Sequence, residues 1–128
     1  MFMKFTRIKL PKQTTNRLAT LKGRTGLNPN VLIRYAILLS LKDKSDPIYE
    51  EQVCDGMELH RSVLLGNLDL IVTALTLQRF SKTTQYPDVF TCFKAHIYRG
   101  VDIIFAQCKQ LGDMGFFLSR ESTSSEMF

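Results

Sequence analysis

Polar and apolar residues alternate over residues 4–10, Lys-Phe-Thr-Arg-Ile-Lys-Leu, which puts Thr6, Ile8 and Leu10 on one face and Phe5, Arg7 and Lys9 on the other. This spacing predicts a short strand, ended by Pro11. From Gln13 to Arg24 the period lengthens. Leu18 and Leu21 recur at helical spacing among Arg17, Lys22 and Arg24, and Gly26 stops the run, so a short basic helix is predicted. Asn28 stands where it can supply an N-cap oxygen and Pro29 falls at the first helical position, opening a helix over Asn30 to Lys42. Its Val31, Leu32, Tyr35, Ala36, Leu38, Leu39 and Leu41 are apolar around most of the circumference, and the helix is expected to be central.

Periodicity fades from Asp43 to Asp55, where two clusters of acids mark a loop or short helical linker that Gly56 extends. It returns over Asp69 to Phe80 through Leu70, Ile71, Ala74, Leu75, Leu77 and Phe80, a helix that could begin near Gly66, with Ser81 to Pro87 as the polar loop that follows. Val89 to Leu111 then predicts a helix long enough to organise a bundle, interrupted only by Gly100, whose small size suits a close helix approach. Within it Arg99 can pair with Asp102, project into solvent or reach a partner. The fold class is mainly α: a compact helical domain over residues 1–118 with a short N-terminal strand or extended segment, and a flexible polar tail over 119–128. A lone strand has an open edge, so it either pairs with a second chain or stays disordered, and self-association is expected.

With 128 residues the chain is one small domain able to bury about two thirds of its unfolded surface. Its near-apolar stretch from Val31 to Leu41 is too short to span a bilayer, which takes about 20 residues, and no signal peptide opens the chain, so no membrane association is expected. Cys54, Cys92 and Cys108 are an odd number at wide spacing, which suits free thiols in a reducing, cytoplasmic setting. The formal charge of +5 hides a division. Residues 1–44 hold ten bases against Asp43 alone, and the remainder is net acidic. A basic segment on a mildly acidic body points to nucleic acid, although the same charges also suit a solvated face.

Candidate chemistry is sparse. His60 and His96 are the only imidazoles, and no metalloprotease, CxxC, phosphate-loop or nucleophile-elbow motif occurs. Cys92 and His96 are four residues apart on one helix face, which allows a dyad; a packed thiol and a hydrogen-bonded histidine need no such arrangement. Cys54, Asp55, Glu58 and His60 crowd together without a zinc spacing, so neither metal nor cofactor is expected. The basic positions are stronger. Lys4, Arg7 and Lys9 on the strand segment and Lys12, Arg17, Lys22 and Arg24 around the first helix can neutralise phosphates, while base readout would need some of them in fixed register in a groove. Free amides near Asn28 and Asn30 offer a second phosphate contact.

Three segments, Leu27-Asn28-Pro29-Asn30-Val31-Leu32-Ile33-Arg34, Gly56-Met57-Glu58-Leu59-His60-Arg61 and Phe93-Lys94-Ala95-His96-Ile97-Tyr98-Arg99-Gly100-Val101, together resemble the DndE family of bacterial DNA sulfur modification, or DNA phosphorothioation. The resemblance runs from about Ile8 to Leu111. It implies a small helical protein that assembles as a homotetramer, binds DNA with a preference for nicked duplex, and works beside DndC and DndD where sulfur replaces a non-bridging phosphate oxygen. It also implies a non-enzymatic accessory role and DNA contact through surface lysines, here mapped to Lys4, Lys9, Lys12 and Lys22. The first 42 residues further resemble a ribbon-helix-helix module, in which two chains pair strands and lay them in the major groove. That similarity implies the alternative of a transcriptional regulator of the modification operon, with Thr6, Ile8 and Leu10 or the opposite strand face near the bases.

Overall fold

The computed structural model describes residues 3–108. Its elements in chain order are β1 (Arg7–Lys9), α1 (Lys12–Thr25), α2 (Pro29–Lys42), β2 (Glu58–His60), α3 (Arg61–Leu65), a 3-10 turn (Gly66–Leu68), α4 (Asp69–Ser81) and α5 (Val89–Gln107). The mainly helical architecture expected from periodicity is present. Residues 109–111, where the last helix was expected to end, and the tail over 119–128 lie outside the described residues.

α5 is the axis of the core, with Val89, Cys92, Phe93, Ala95, His96, Ile97, Tyr98, Gly100, Val101 and Ile104 all buried. α2 lies along it through Leu32, Ile33, Ala36, Ile37 and Ser40. Gly100 makes this approach feasible: a Cβ there would stand 2.0 Å from the carbonyl oxygen of Ala36 and 2.8 Å from its Cα. α1 packs on α5 through Leu18 and Leu21 and ends at Gly26, whose φ of 77° is open to glycine. Asn28 does occupy the N-cap position of α2, but its side chain caps nothing. Pro29 already sets the φ of the first turn, so the helix begins without that bond. The side-chain cap occurs instead on α5, where Asp88 accepts from the Thr91 amide at 2.7 Å.

β1 finds its partner inside the chain, which corrects the expectation of an open or disordered strand. It pairs antiparallel with β2, Arg7 opposite His60, Ile8 opposite Leu59 and Lys9 opposite Glu58. Further backbone bonds join Leu10 to Met57 and Gly56 and join Arg61 to Thr6, each 2.8 Å. Ile8 and Leu10 are 2% and 0% exposed, so of the two strand faces considered for base contact theirs is core apart from Thr6, and only the opposite face, with Arg7 and Lys9, is exposed. Strand, helix and helix follow in ribbon-helix-helix order, with β1 paired along one edge to β2 of the same chain.

Arg61–Ser81, unlike the shorter Val31 to Leu41 stretch, is by length and mean hydropathy of 1.3 apolar enough to cross a membrane. It is interrupted at Gly66, with φ 51° and ψ −129°, and its Leu64, Leu65 and Val72 are fully buried in the core of this domain. Arg61 holds the corner. Its guanidinium donates to both carboxylate oxygens of Asp69 at 2.8 Å, to Thr73 Oγ1 at 3.0 Å and to the Met3 carbonyl at 2.5 Å, and sits 4.7 Å from the centroid of the Phe5 ring.

Candidate nucleic-acid interface

α1 contains no acidic residue. Thr14, Leu18 and Leu21 are buried, whereas Lys12, Gln13, Asn16, Ala19, Thr20, Lys22 and Gly23 are exposed. Arg17 and Arg24 are only half-exposed because both reach α5: Arg17 pairs with Asp102 and lies over the Phe105 ring at 5.2 Å, and Arg24 donates to the Cys108 carbonyl. These two cations therefore tie α1 to α5. Asp102 belongs to Arg17 and not to Arg99, which donates to Ser40 Oγ at 2.8 Å and to Ser45 Oγ at 2.9 Å. Between α1 and α5 lies a shallow groove of about 370 Å³ lined by Lys12, Gln13, Asn16, Arg17, Thr20 and Phe105.

Lys4, Arg7 and Lys9 are exposed on the strand segment. Lys9 faces Glu58 across the ladder, which offsets part of its charge, and Arg7 faces His60. Among the described residues no ion pair engages Lys4, Arg7, Lys12 or Lys22. The start of α2, the second phosphate contact expected from sequence, is turned toward α3: Asn30 Nδ2 donates to the Val63 carbonyl at 3.3 Å, and Pro29 has no N–H to offer. Gln13, Asn16 and Thr20, which carry no charge and were not singled out by charge, line the groove beside Lys12 and Arg17.

Cys92 and His96 do not form an activated dyad. Ser40 Oγ accepts from Arg99 and lies 2.8 Å from His96 Nδ1, and among the described residues His96 Nε2 is buried without a partner. Burial, reinforced by the Arg99 and Arg79 charges, lowers the His96 pKa to about 4, while burial and then Asp46 raise that of Cys92 to about 11. A raised thiol and a lowered imidazole pKa disfavour the thiolate–imidazolium pair of an activated cysteine. Among the described residues no group of His, Cys, Asp or Glu stands together as a metal site would require. Cys54 instead lies 3.9 Å from the Tyr98 hydroxyl.

The family described as DNA sulphur modification protein DndE matches residues 7–110. DndE from Escherichia coli B7A, involved in DNA phosphorothioation modification, superposes with a TM-score of 0.68 at 25% identity, over 80% of this chain and 98% of that one. A double glycine-to-lysine mutant of DndE, also involved in DNA phosphorothioation, shares the fold with a TM-score of 0.63 at 22% identity, over 79% of this chain and 97% of that one. No curated relative matches.

Proposed function

The chain belongs to the DndE family of DNA sulphur modification proteins, and from that premise we propose that it is a non-enzymatic DNA-binding subunit of phosphorothioation that contacts the backbone and prefers a nicked duplex. The observation that carries the reading is the set of exposed cations, Lys4, Arg7, Lys12 and Lys22, free of ion pairs among the described residues and set on a strand segment and helix without acids. Such cations release counterions from phosphates and give affinity that falls with salt. Arg17 and Arg24 add positive potential while serving packing, and Lys9 contributes beside Glu58. A nick supplies a flexible joint at which the backbone can follow this surface. Sulfur activation and nucleotide hydrolysis reside, in this reading, in its partners DndC and DndD.

Self-association, with a tetramer expected, is supported by apolar side chains left exposed on neighbouring helices: Val31 and Leu38 of α2 and Leu70, Ile71 and Leu75 of α4. The test is affinity for nicked and intact duplexes across a salt series, for wild type and for the Lys9→Glu, Lys12→Glu, Lys22→Glu triple variant, with particle mass measured alongside. Tighter binding to the nick, a steep salt slope and weakening in the variant are expected. Binding unchanged by the triple reversal refutes this face as the contact.

A further inference from the structure

A second opening lies where the linker after α2 crosses the first turns of α5. It is a cleft of about 550 Å³, open to solvent, walled by Tyr49 and Glu51 of the linker, Gln85 and Pro87 of the loop after α4, and Lys94 of α5. Ligand sites span roughly 300–1,000 Å³, so a single nucleotide fits. The walls are fixed from behind. The Pro47 carbonyl accepts from the Tyr86 hydroxyl and from Gln85 Nε2 at 3.2 Å, which ties linker to loop, and the Tyr49 ring stacks on Tyr98 with centroids 6.2 Å apart. Lys94 is the unusual group. It is half-buried, its ammonium stands 5.2 Å from the Tyr49 ring centroid and 5.0 Å from that of Phe90, and among the described residues no ion pair engages it, although Glu51 lines the same cleft. A cation that has lost part of its water and is held only by ring faces gains from an incoming anion. Glu51, unpaired beside it, calls for hydrogen-bond donors on the same ligand.

We propose that this cleft receives the terminal nucleotide of a DNA strand at a nick: Lys94 pairs with a terminal phosphate, Tyr49 and Pro87 flank the base, and Glu51 accepts from an exocyclic amine of that base. The flexible stem of Lys94 lets its ammonium leave the rings for the phosphate, which frees the Tyr49 face for stacking. A phosphate monoester carries about two negative charges, more than a phosphodiester within a strand, so an end is the stronger partner for one lysine. Asp88, beside Pro87, is already engaged in capping α5. The open side favours a tethered ligand, since the rest of the strand can stay in the duplex, whereas a free small molecule calls for burial of most of its surface. The cleft also adjoins the cationic strand segment: Phe90, under Lys94, stacks on Phe5 at 5.0 Å, and Lys4 is next to Phe5 in the chain. An intact duplex offers no such end. This inference rests on the DNA-binding reading above and gives its nick preference a place in the molecule.

The experiment measures the affinity of the full chain for one duplex sequence in four forms. These are intact, nicked with hydroxyls on both sides, nicked with a phosphate on the 5′ or the 3′ side, and the phosphorylated nick with an abasic residue at that end. A phosphorylated nick is expected to bind about tenfold tighter than the hydroxyl nick, and the abasic end several-fold weaker than its parent. Lys94→Met keeps an apolar stem over the rings and removes the charge. It should bind phosphorylated and hydroxyl nicks alike while keeping wild-type affinity for the intact duplex, which shows it folded. A nick preference indifferent to the phosphate, or one that survives Lys94→Met or loss of the base, overturns the proposal and leaves a nick acting as a flexible joint. A Lys94→Met loss of equal size on intact and nicked duplexes also overturns it. Equal affinity for all four forms overturns this site while leaving backbone binding intact; binding to none overturns the DNA reading itself.

Discussion

Replacing Gly100 with alanine sets two known effects against each other. In an exposed helix interior the change would stabilise by about 1 kcal/mol, because glycine gives up more backbone entropy on folding than alanine. At Gly100 the new Cβ would stand 2.0 Å from the Ala36 carbonyl oxygen, and the obstacle is backbone that no rotamer change can move. Ordinary contact at 3.4 Å needs α2 to retreat from α5 by about 1.4 Å. A radial gap of only 0.5–1 Å already forfeits roughly a quarter to a half of the dispersion well, and Leu32, Ile33 and Ile37 of α2 are all packed in this core. Each buried side chain makes tens of contacts worth about 0.1–0.2 kcal/mol, so three of them lose several kcal/mol between them, and partial relaxation returns some of it. The expected net loss is about 3 kcal/mol against a total stability of about 5–15 kcal/mol. Urea unfolding followed by circular dichroism reads this as a lowered midpoint. Gly23→Ala, with nothing within 4 Å of the added carbon, is the matched control and should raise stability by about 1 kcal/mol. A Gly100→Ala midpoint equal to or above wild type would refute the close approach.

His96 should impose a pH dependence on folding. Its pKa falls from the ordinary 6.5 to about 4 on folding, so the unfolded chain binds a proton that the native one refuses; stability is whole above about pH 6.5 and declines as pH falls toward 4, by about 3 kcal/mol. Urea midpoints from pH 7 to 4.5 should therefore be flatter in His96→Gln, and equal steepness in both proteins would contradict the assignment. Arg61→Lys should cost about 2 kcal/mol, since an ammonium cannot hold both Asp69 oxygens while covering the Phe5 ring; a loss under about 0.5 kcal/mol in the same assay would count against that corner. In DNA titrations against salt, Lys12→Ala should reduce the logarithmic slope by about 0.9, whereas Arg17→Ala should lower stability and reduce the slope less; the opposite ranking would reverse their roles.

Most helices were legible because their signals are local. The leucines of α1 recur at helical spacing up to Gly26, and the proline before Asn30 opens α2. β2 was not legible: Glu-Leu-His is three residues long, too short for alternation to separate from chance, and its strand character comes only from pairing with β1 some fifty residues earlier. The close approach at Gly100 was expected, but the identity of its partner, Ala36, depends on how α2 lies against α5. Arg99 shows the same limit. Asp102 lies three residues away on its own helix, yet Arg17 of α1 takes that carboxylate, and Ser40 and Ser45 take Arg99. Charge counting located the basic end of the chain but could not tell a cation used in packing from one left for a ligand.

The fold makes that separation largely by residue type. Arg17, Arg24, Arg34, Arg61, Arg79 and Arg99 each bind a carbonyl, hydroxyl or carboxylate of another element. A guanidinium suits this work because it is planar, offers several donors and is weakly hydrated, so it can satisfy buried carbonyls while lying over a ring. Lysine, a strongly hydrated point charge on a flexible stem, gains less from such sites, and Lys4, Lys9, Lys12 and Lys22 remain exposed. Arg7 departs from the pattern, being exposed on the short β1 ribbon. The charge available to a polyanion is therefore smaller than the formal count of residues 1–44, and it is concentrated on the β1 segment and the outer side of α1. A contact built from lysines on that surface should be strongly salt-dependent and tolerant of backbone geometry.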